Sequence, residues 1–108
     1  MDLPSIDVIS DHAGLRLAQR NLSRHDVDYV LTHGRRIWAG SALFVVLGLR
    51  DIPHDDLRVD RRRRLEGTVL VLDTSTGRHL TTAYRNRRTA VRDIKRKRKR
   101  SLTIYDGD

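Results

Sequence analysis

The sequence predicts a single α+β domain, in which two N-terminal helices pack on a four-stranded antiparallel sheet and a basic helix follows. Three observations support this. Apolar residues recur at helical spacing in the first third, and runs rich in Val and Leu with short connections follow. A dense run of cations then lies near the C-terminus. The predicted segments are a loosely ordered lead-in (1–9), a helical pair (10–34), the sheet (35–85), the basic helix (86–100) and a tail (101–108).

The first predicted helix begins after Ser10 or Asp11, either of which can act as an N-cap. The apolar stripe that faces the core is predicted to begin at Leu15, because Ala18 and Leu22 follow it after three and seven residues.

The second predicted helix opens with a cap at Ser23 and ends at Gly34. Its apolar face is predicted to consist of Val27, Val30 and Leu31.

Four strands are predicted at residues 36–38, 43–49, 68–72 and 78–85. Residues 39–41 and 73–77 are predicted turns, and the polar segment between the second and third strands is predicted to be a loop. In this loop the arginines at 61–64 are expected to be balanced by Asp55, Asp56 and Asp60. With the helices on one side, the other sheet face is expected to remain open.

Strict alternation along the last strand would point Leu80, Thr82 and Tyr84 one way and the intervening residues, including Arg85, the other way. Thr and Tyr are also good strand formers, so their presence here has a purely structural explanation as well. Thr89 is the predicted cap of the final helix.

The formal net charge of +8 is concentrated toward the C-terminus. Residues 1–34 carry three basic and five acidic groups, residues 35–66 carry eight and five, and residues 67–108 carry eleven and four. A gradient from −2 to +7 is expected of a protein that meets a polyanion with one end or face.

Several classes of protein are disfavoured by composition and motif. The chain has no cysteine, which excludes disulfides and thiolate zinc sites, and no phosphate-binding loop or Ser-His-Asp pattern is present. We therefore expect no cofactor and no metal. The longest apolar run, residues 42–47, is too short to cross a membrane, and we expect a cytoplasmic protein without a membrane partner.

His12 and Arg16 lie four residues apart, so they project from one side of the first helix and could contact one phosphate together. An imidazole can transfer a proton near neutral pH and a guanidinium can hold two phosphoryl oxygens. A lone histidine beside a helix stripe is, however, more often a surface or cap residue.

The basic helix is expected to contact nucleic-acid phosphates through seven cations: Arg87, Arg88, Arg92, Lys95, Arg96, Arg98 and Lys99. The alternative interpretation is a solvated tail whose charges repel one another and keep the protein in solution.

Three stretches, HAGLRLAQRNLSRHDVDYVLTHG, LGLRDIP and LTTAYRNRRTAVRDIKRKRK, occur in this order over residues 10–100. In these the chain resembles the bacterial domain-of-unknown-function family 4258, related to the metal-independent ribonucleases and toxins of the barnase, EndoU, colicin and RelE-like group. The resemblance implies an RNA-cleaving site in which five side chains converge: His12, Arg16, Thr82, Tyr84 and Arg85.

The leading hypothesis is therefore a ribonuclease-like protein, the toxin of a toxin–antitoxin pair, with RNA and an acidic antitoxin protein as partners. His12 would be the general acid or base, Arg16 and Arg85 would hold the phosphate, and Thr82 or Tyr84 would orient it. Two alternatives are a non-catalytic nucleic-acid-binding module of the same fold, and an interaction scaffold whose cations serve only solubility.

Overall fold

The computed structural model describes residues 6–75 and 78–97. Its strands are β1 (Val8–Ile9), β2 (Arg35–Ala39), β3 (Ala42–Val46), β4 (Thr68–Asp73) and β5 (His79–Arg85). Its α-helices are α1 (Asp11–Gln19), α2 (Arg24–His33), α3 (Asp60–Arg63) and α4, which comprises residues 90–97 of the described part. The predicted tail, the last residues of the basic helix and part of the 73–77 turn lie outside the described residues.

The sheet has five strands in the order β1-β5-β4-β3-β2. Strands β2 to β5 form the predicted antiparallel set, but β1 is an additional strand that pairs in parallel with β5. The lead-in prediction is therefore wrong for residues 6–9, where Ile6 is also buried. A two-residue strand is too short to show alternation, so it forms only because the edge of β5 offers hydrogen-bond partners.

Helix α1 has the predicted start but a different core face. The Ser10 hydroxyl accepts a hydrogen bond from the backbone N–H of Ala13 at 3.0 Å and caps the helix. The buried residues are Ala13 and Leu17, whereas Leu15 is 57% exposed. Leu15 lies two residues from each of them, roughly opposite on the helix. Packing through the small side chain of Ala13 allows a close approach to β5, which a count of large apolar residues does not anticipate.

Helix α2 agrees with the prediction at both ends. Ser23 and Asp26 form a reciprocal capping box, and Val27, Val30 and Leu31 are buried. At Gly34 an added Cβ would lie 2.6 Å from the Val30 carbonyl oxygen. The chain can therefore turn from α2 directly into β2 only with glycine at this position.

Both faces of the sheet are covered. Helices α1 and α2 pack on one face, here called face 1, through the cluster that contains Leu17, Val30 and Leu80. The opposite face, face 2, carries a second apolar cluster in which Ala90 and Ile94 of α4 cover the inner strands. The expectation of an open sheet face is therefore wrong, because Ala90 and Ile94 give the basic helix a buried side.

A β-bulge in β5 changes which side chains share a face. Val71 pairs with Thr82 and Leu72 pairs with Leu80, so Thr81 is the extra residue. Leu80 and Ala83 consequently belong to the same buried cluster on face 1. The prediction of strict alternation from Leu80 to Tyr84 is wrong, because each side chain after the bulge lies on the opposite face from the one that alternation predicts.

Candidate nucleic-acid interface

A groove of about 650 Å³ runs between α4 and the adjoining ends of β3 and β4. Its floor is apolar, formed by Val46, Leu47, Ala90 and Val91. Five cationic residues line it, and all five are among those predicted to bind nucleic acid: Arg87, Arg88, Arg92, Lys95 and Arg96. The other two, Arg98 and Lys99, lie outside the described residues. We call this feature the basic groove.

The start of α4 is fixed by a polar network that orients the groove cations. The Asn86 side-chain oxygen accepts from the backbone N–H of Thr89 at 3.0 Å. Thr89 precedes the helix as predicted, but its hydroxyl donates to the Asp93 carboxylate at 2.8 Å. That hydrogen bond, with further contributions from Asn86, Arg92 and Arg96, lowers the pKa of Asp93. Asp93 is therefore an ionised carboxylate that is hydrogen-bonded to the residues at the start of α4, and it does not line the groove.

Arg87 is held at one end of the groove by its close approach to Gly67. Gly67 has a φ of +86°, and an added Cβ there would lie 2.6 Å from Cγ of Arg87. The backbone N–H of Gly67 donates to Leu47, and its carbonyl accepts from the N–H of Asn86. A larger residue at position 67 would push Arg87 away from the strand ends that form the groove.

The structure brings His12 and Arg16 together on the exposed side of α1. The Arg16 Nε donates to His12 Nε2 at 3.5 Å, a long hydrogen bond, and Arg16 Nη1 donates to the Gln19 side-chain oxygen at 3.2 Å. His12 is exposed to solvent and Arg16 is half-buried. The imidazole is thus accessible to a ligand with a cation beside it.

Thr82 and Tyr84 lie on the other face of the sheet from His12. Tyr84 packs against the face 2 cluster, and Thr82 is paired with Val71, which packs against the same cluster. Burial, followed by the charge of Asp93, raises the pKa of Tyr84. The phenol is therefore a neutral group beneath α4, separated by the sheet from α1.

Arg85 lies at the end of β5, close to the loop that precedes β4. Its guanidinium donates to the Arg64 carbonyl at 2.6 Å. Desolvation and then the charges of Arg87, Arg20 and Arg64 lower its pKa. Among the described residues no hydrogen bond joins Arg85 to His12 or Arg16. The sheet therefore separates Thr82 and Tyr84 from His12 and Arg16, and the hydrogen bond of Arg85 goes to the Arg64 carbonyl.

The structure also gives the arginines of residues 61–64 a role that the sequence did not indicate. Asp60–Arg63 is one helical turn, and Arg61 pairs with Asp26 of α2 at 3.5 Å. Of the three acidic residues expected to balance this run, Asp56 instead accepts a hydrogen bond from Tyr29. The run of arginines is visible in the sequence, but Asp26, the partner of Arg61, lies more than thirty residues away in the chain.

The described residues contain neither a cluster of metal-binding side chains nor a membrane-spanning helix. Across residues 6–75 and 78–97, no three His, Asp or Glu side chains are grouped so that they could hold a metal ion. Over the same residues, no helix has the length and apolar character needed to span a membrane.

Comparison of the chain with protein-family models, with curated proteins and with solved structures finds no match.

Proposed function

We propose that this protein binds nucleic acid, with the sugar-phosphate backbone of a strand lying in the basic groove. The observation that carries the proposal is the composition of the groove lining, which in the described part of the chain contains five cations and no carboxylate. Asp93, outside the lining, offsets part of the charge of Arg92 and Arg96. The remaining positive charges repel one another, and a polyanion relieves that repulsion while releasing its own condensed counterions.

The groove favours recognition of the backbone over recognition of the bases. Among the described residues no aromatic side chain lines it, so we expect no base stacking there to add to the affinity. The one side-chain amide in the lining, Asn86, is engaged with Thr89 and Asp93. We therefore expect RNA to bind with little sequence preference, because phosphate contacts position a strand without reading it.

The test is the binding of a fluorescently labelled single-stranded RNA by anisotropy. The double variant Arg88→Gln/Lys95→Gln removes two groove cations whose side chains form no hydrogen bond or ion pair with other described residues. Arg36→Gln/Arg58→Gln is the matched control, because it also removes two positive charges and neither of these exposed arginines lines the groove. Weaker binding in the double variant alone supports the proposal, and equal binding by all three proteins contradicts it.

A second candidate function, metal-independent RNA cleavage, is favoured by the contact between His12 and Arg16. The imidazole would move a proton to or from the reacting oxygens, and the guanidinium would stabilise the charge that develops on the phosphate. Thr82 and Tyr84 would take no part, because they lie on face 2. An acidic antitoxin segment would then act by competing with RNA for the basic groove.

Cleavage and binding are separated by incubating RNA with the protein in the presence of a chelator. A catalytic His12 predicts products that disappear in His12→Ala while the anisotropy change on binding is retained. Intact RNA under conditions of saturated binding would exclude the ribonuclease and leave the binding function in place.

A further inference from the structure

We propose that a second, smaller pocket at the end of β5 binds the terminal phosphate of a nucleic-acid strand, an inference that rests on the proposed function. The pocket has a volume of about 150 Å³ and lies between the C-terminal end of α1, the start of α2 and α3. Four arginines line it, Arg20, Arg61, Arg64 and Arg85, and we call it the arginine pocket.

Only one of these four arginines is neutralised within the pocket. Arg61 pairs with Asp26, whose other oxygen accepts from the Ser23 backbone N–H at 2.9 Å. In the part of the chain that the structure describes, no carboxylate lies within 4 Å of the guanidinium nitrogens of Arg20, Arg64 or Arg85. Three cations therefore face a small space without an ion-pair partner.

The charge of the pocket matches a phosphomonoester better than a phosphodiester. Among the described lining residues, four arginines and the carboxylate of Asp26 leave a net charge of +3, and outside the lining Arg87 and Glu66 act on Arg85 with opposite charges. A terminal phosphate carries close to two negative charges at neutral pH, whereas an internal phosphodiester carries one. Guanidinium groups also suit the several oxygens of a terminal phosphate, since each can donate two parallel hydrogen bonds.

The crowding of cations around Arg85 is consistent with a site for an anion. Burial and the charges of Arg87, Arg20 and Arg64 all lower the pKa of Arg85, which means that the folded protein holds these groups against their repulsion. A phosphate in the pocket would relieve that repulsion, because it accepts hydrogen bonds from the same guanidinium groups.

The size and position of the pocket identify the end of a strand as the occupant. A volume of about 150 Å³ is well below that of sites for whole small molecules and accommodates a phosphoryl group. Arg87 lines the basic groove and lies close enough to Arg85 to shift its pKa, so the two sites are neighbours. A strand whose backbone lies in the groove could therefore place its last phosphate between the arginines.

The experiment compares oligonucleotides of one sequence that carry a 5′-phosphate, a 3′-phosphate or hydroxyls at both ends. We expect one phosphorylated form to bind wild-type protein about tenfold more tightly than the hydroxyl form, as for one or two charge-assisted hydrogen bonds. In Arg20→Gln/Arg64→Gln the advantage disappears while the hydroxyl form keeps its wild-type affinity. Arg36→Gln/Arg58→Gln, the matched control outside the pocket, retains the advantage. Circular dichroism confirms that the variants are folded.

The outcomes separate this inference from the proposed function. Equal affinities for all three oligonucleotides, or an advantage that persists in Arg20→Gln/Arg64→Gln, would overturn the arginine pocket and leave the basic groove standing. If none of the three binds, the groove and the strand-end pocket are both overturned. Calorimetric binding of inorganic phosphate without any preference among the oligonucleotides would identify free phosphate as the ligand and overturn the strand end.

Discussion

The salt dependence of RNA binding gives the most direct measure of how many groove cations contact phosphate. Each phosphate contact to a single strand lowers the slope of log affinity against log salt concentration by about 0.7. The five cations of the basic groove therefore set a slope of about −3.5 if all of them make contact. Removing two in Arg88→Gln/Lys95→Gln should bring it to about −2.1.

These slopes predict a clear difference between 50 and 200 mM salt. Wild-type affinity should fall about a hundredfold over this range, and the affinity of the double variant about twentyfold. Both side chains are exposed and form no hydrogen bond or ion pair with other described residues, so the substitutions should leave the fold unchanged. Anisotropy titrations at four or more salt concentrations provide the slopes, with Arg36→Gln/Arg58→Gln as the control of equal net charge. A double variant with the wild-type slope would refute the assignment of the groove to phosphate binding.

Three further predictions concern stability and are measured by urea unfolding. Gly14→Ala should stabilise the protein by about 0.5–1 kcal/mol, because an added Cβ meets open space within α1, whereas Gly67→Ala should destabilise it by about 1–3 kcal/mol because of the positive φ. Equal effects would contradict this reasoning. Ile94→Ala should cost about 2–5 kcal/mol, since Ile94 is fully buried on face 2, and a cost near zero would mean that α4 does not pack there. Tyr29→Phe should cost about 0.5–1.5 kcal/mol by removing the 2.7 Å hydrogen bond to Asp56. Burial, with that bond, raises the pKa of Tyr29 from 10.0 to about 12, so this difference should hold below pH 10 and shrink as pH rises toward 12. A difference that is constant from pH 9 to 12 would count against the bond.

The starts of α1 and α2 and the end of α2 could be predicted from the sequence, because each depends on neighbours within a few residues. Ser10 and Ser23 cap backbone N–H groups three positions ahead, and Gly34 permits a turn that begins one residue after α2. The strand positions from β2 to β5 followed from composition and spacing in the same way. The groove cations followed as well, because charge density is a property of the chain itself.

The candidate sites depended on contacts that no local pattern contains. Ser10 bonds to Thr81 across 71 positions of sequence, and this junction seats α1 over a bulge that exists only in the paired β5. The bulge and the packing of α4 place Tyr84 on the face away from His12, which divides the predicted catalytic set.

Local sequence thus determined helices α1 and α2, strands β2 to β5 and the charge of this protein, while the tertiary structure alone decided that β1 forms and which side chains meet. A helix cap or a strand pattern is stabilised by neighbours a few residues away, so it can be read along the chain. The face on which a side chain lies changes with a single extra residue in a paired strand, and the partners in the arginine pocket come from four separate elements or their connections. Their meeting depends on packing between distant segments, which periodicity and composition do not encode.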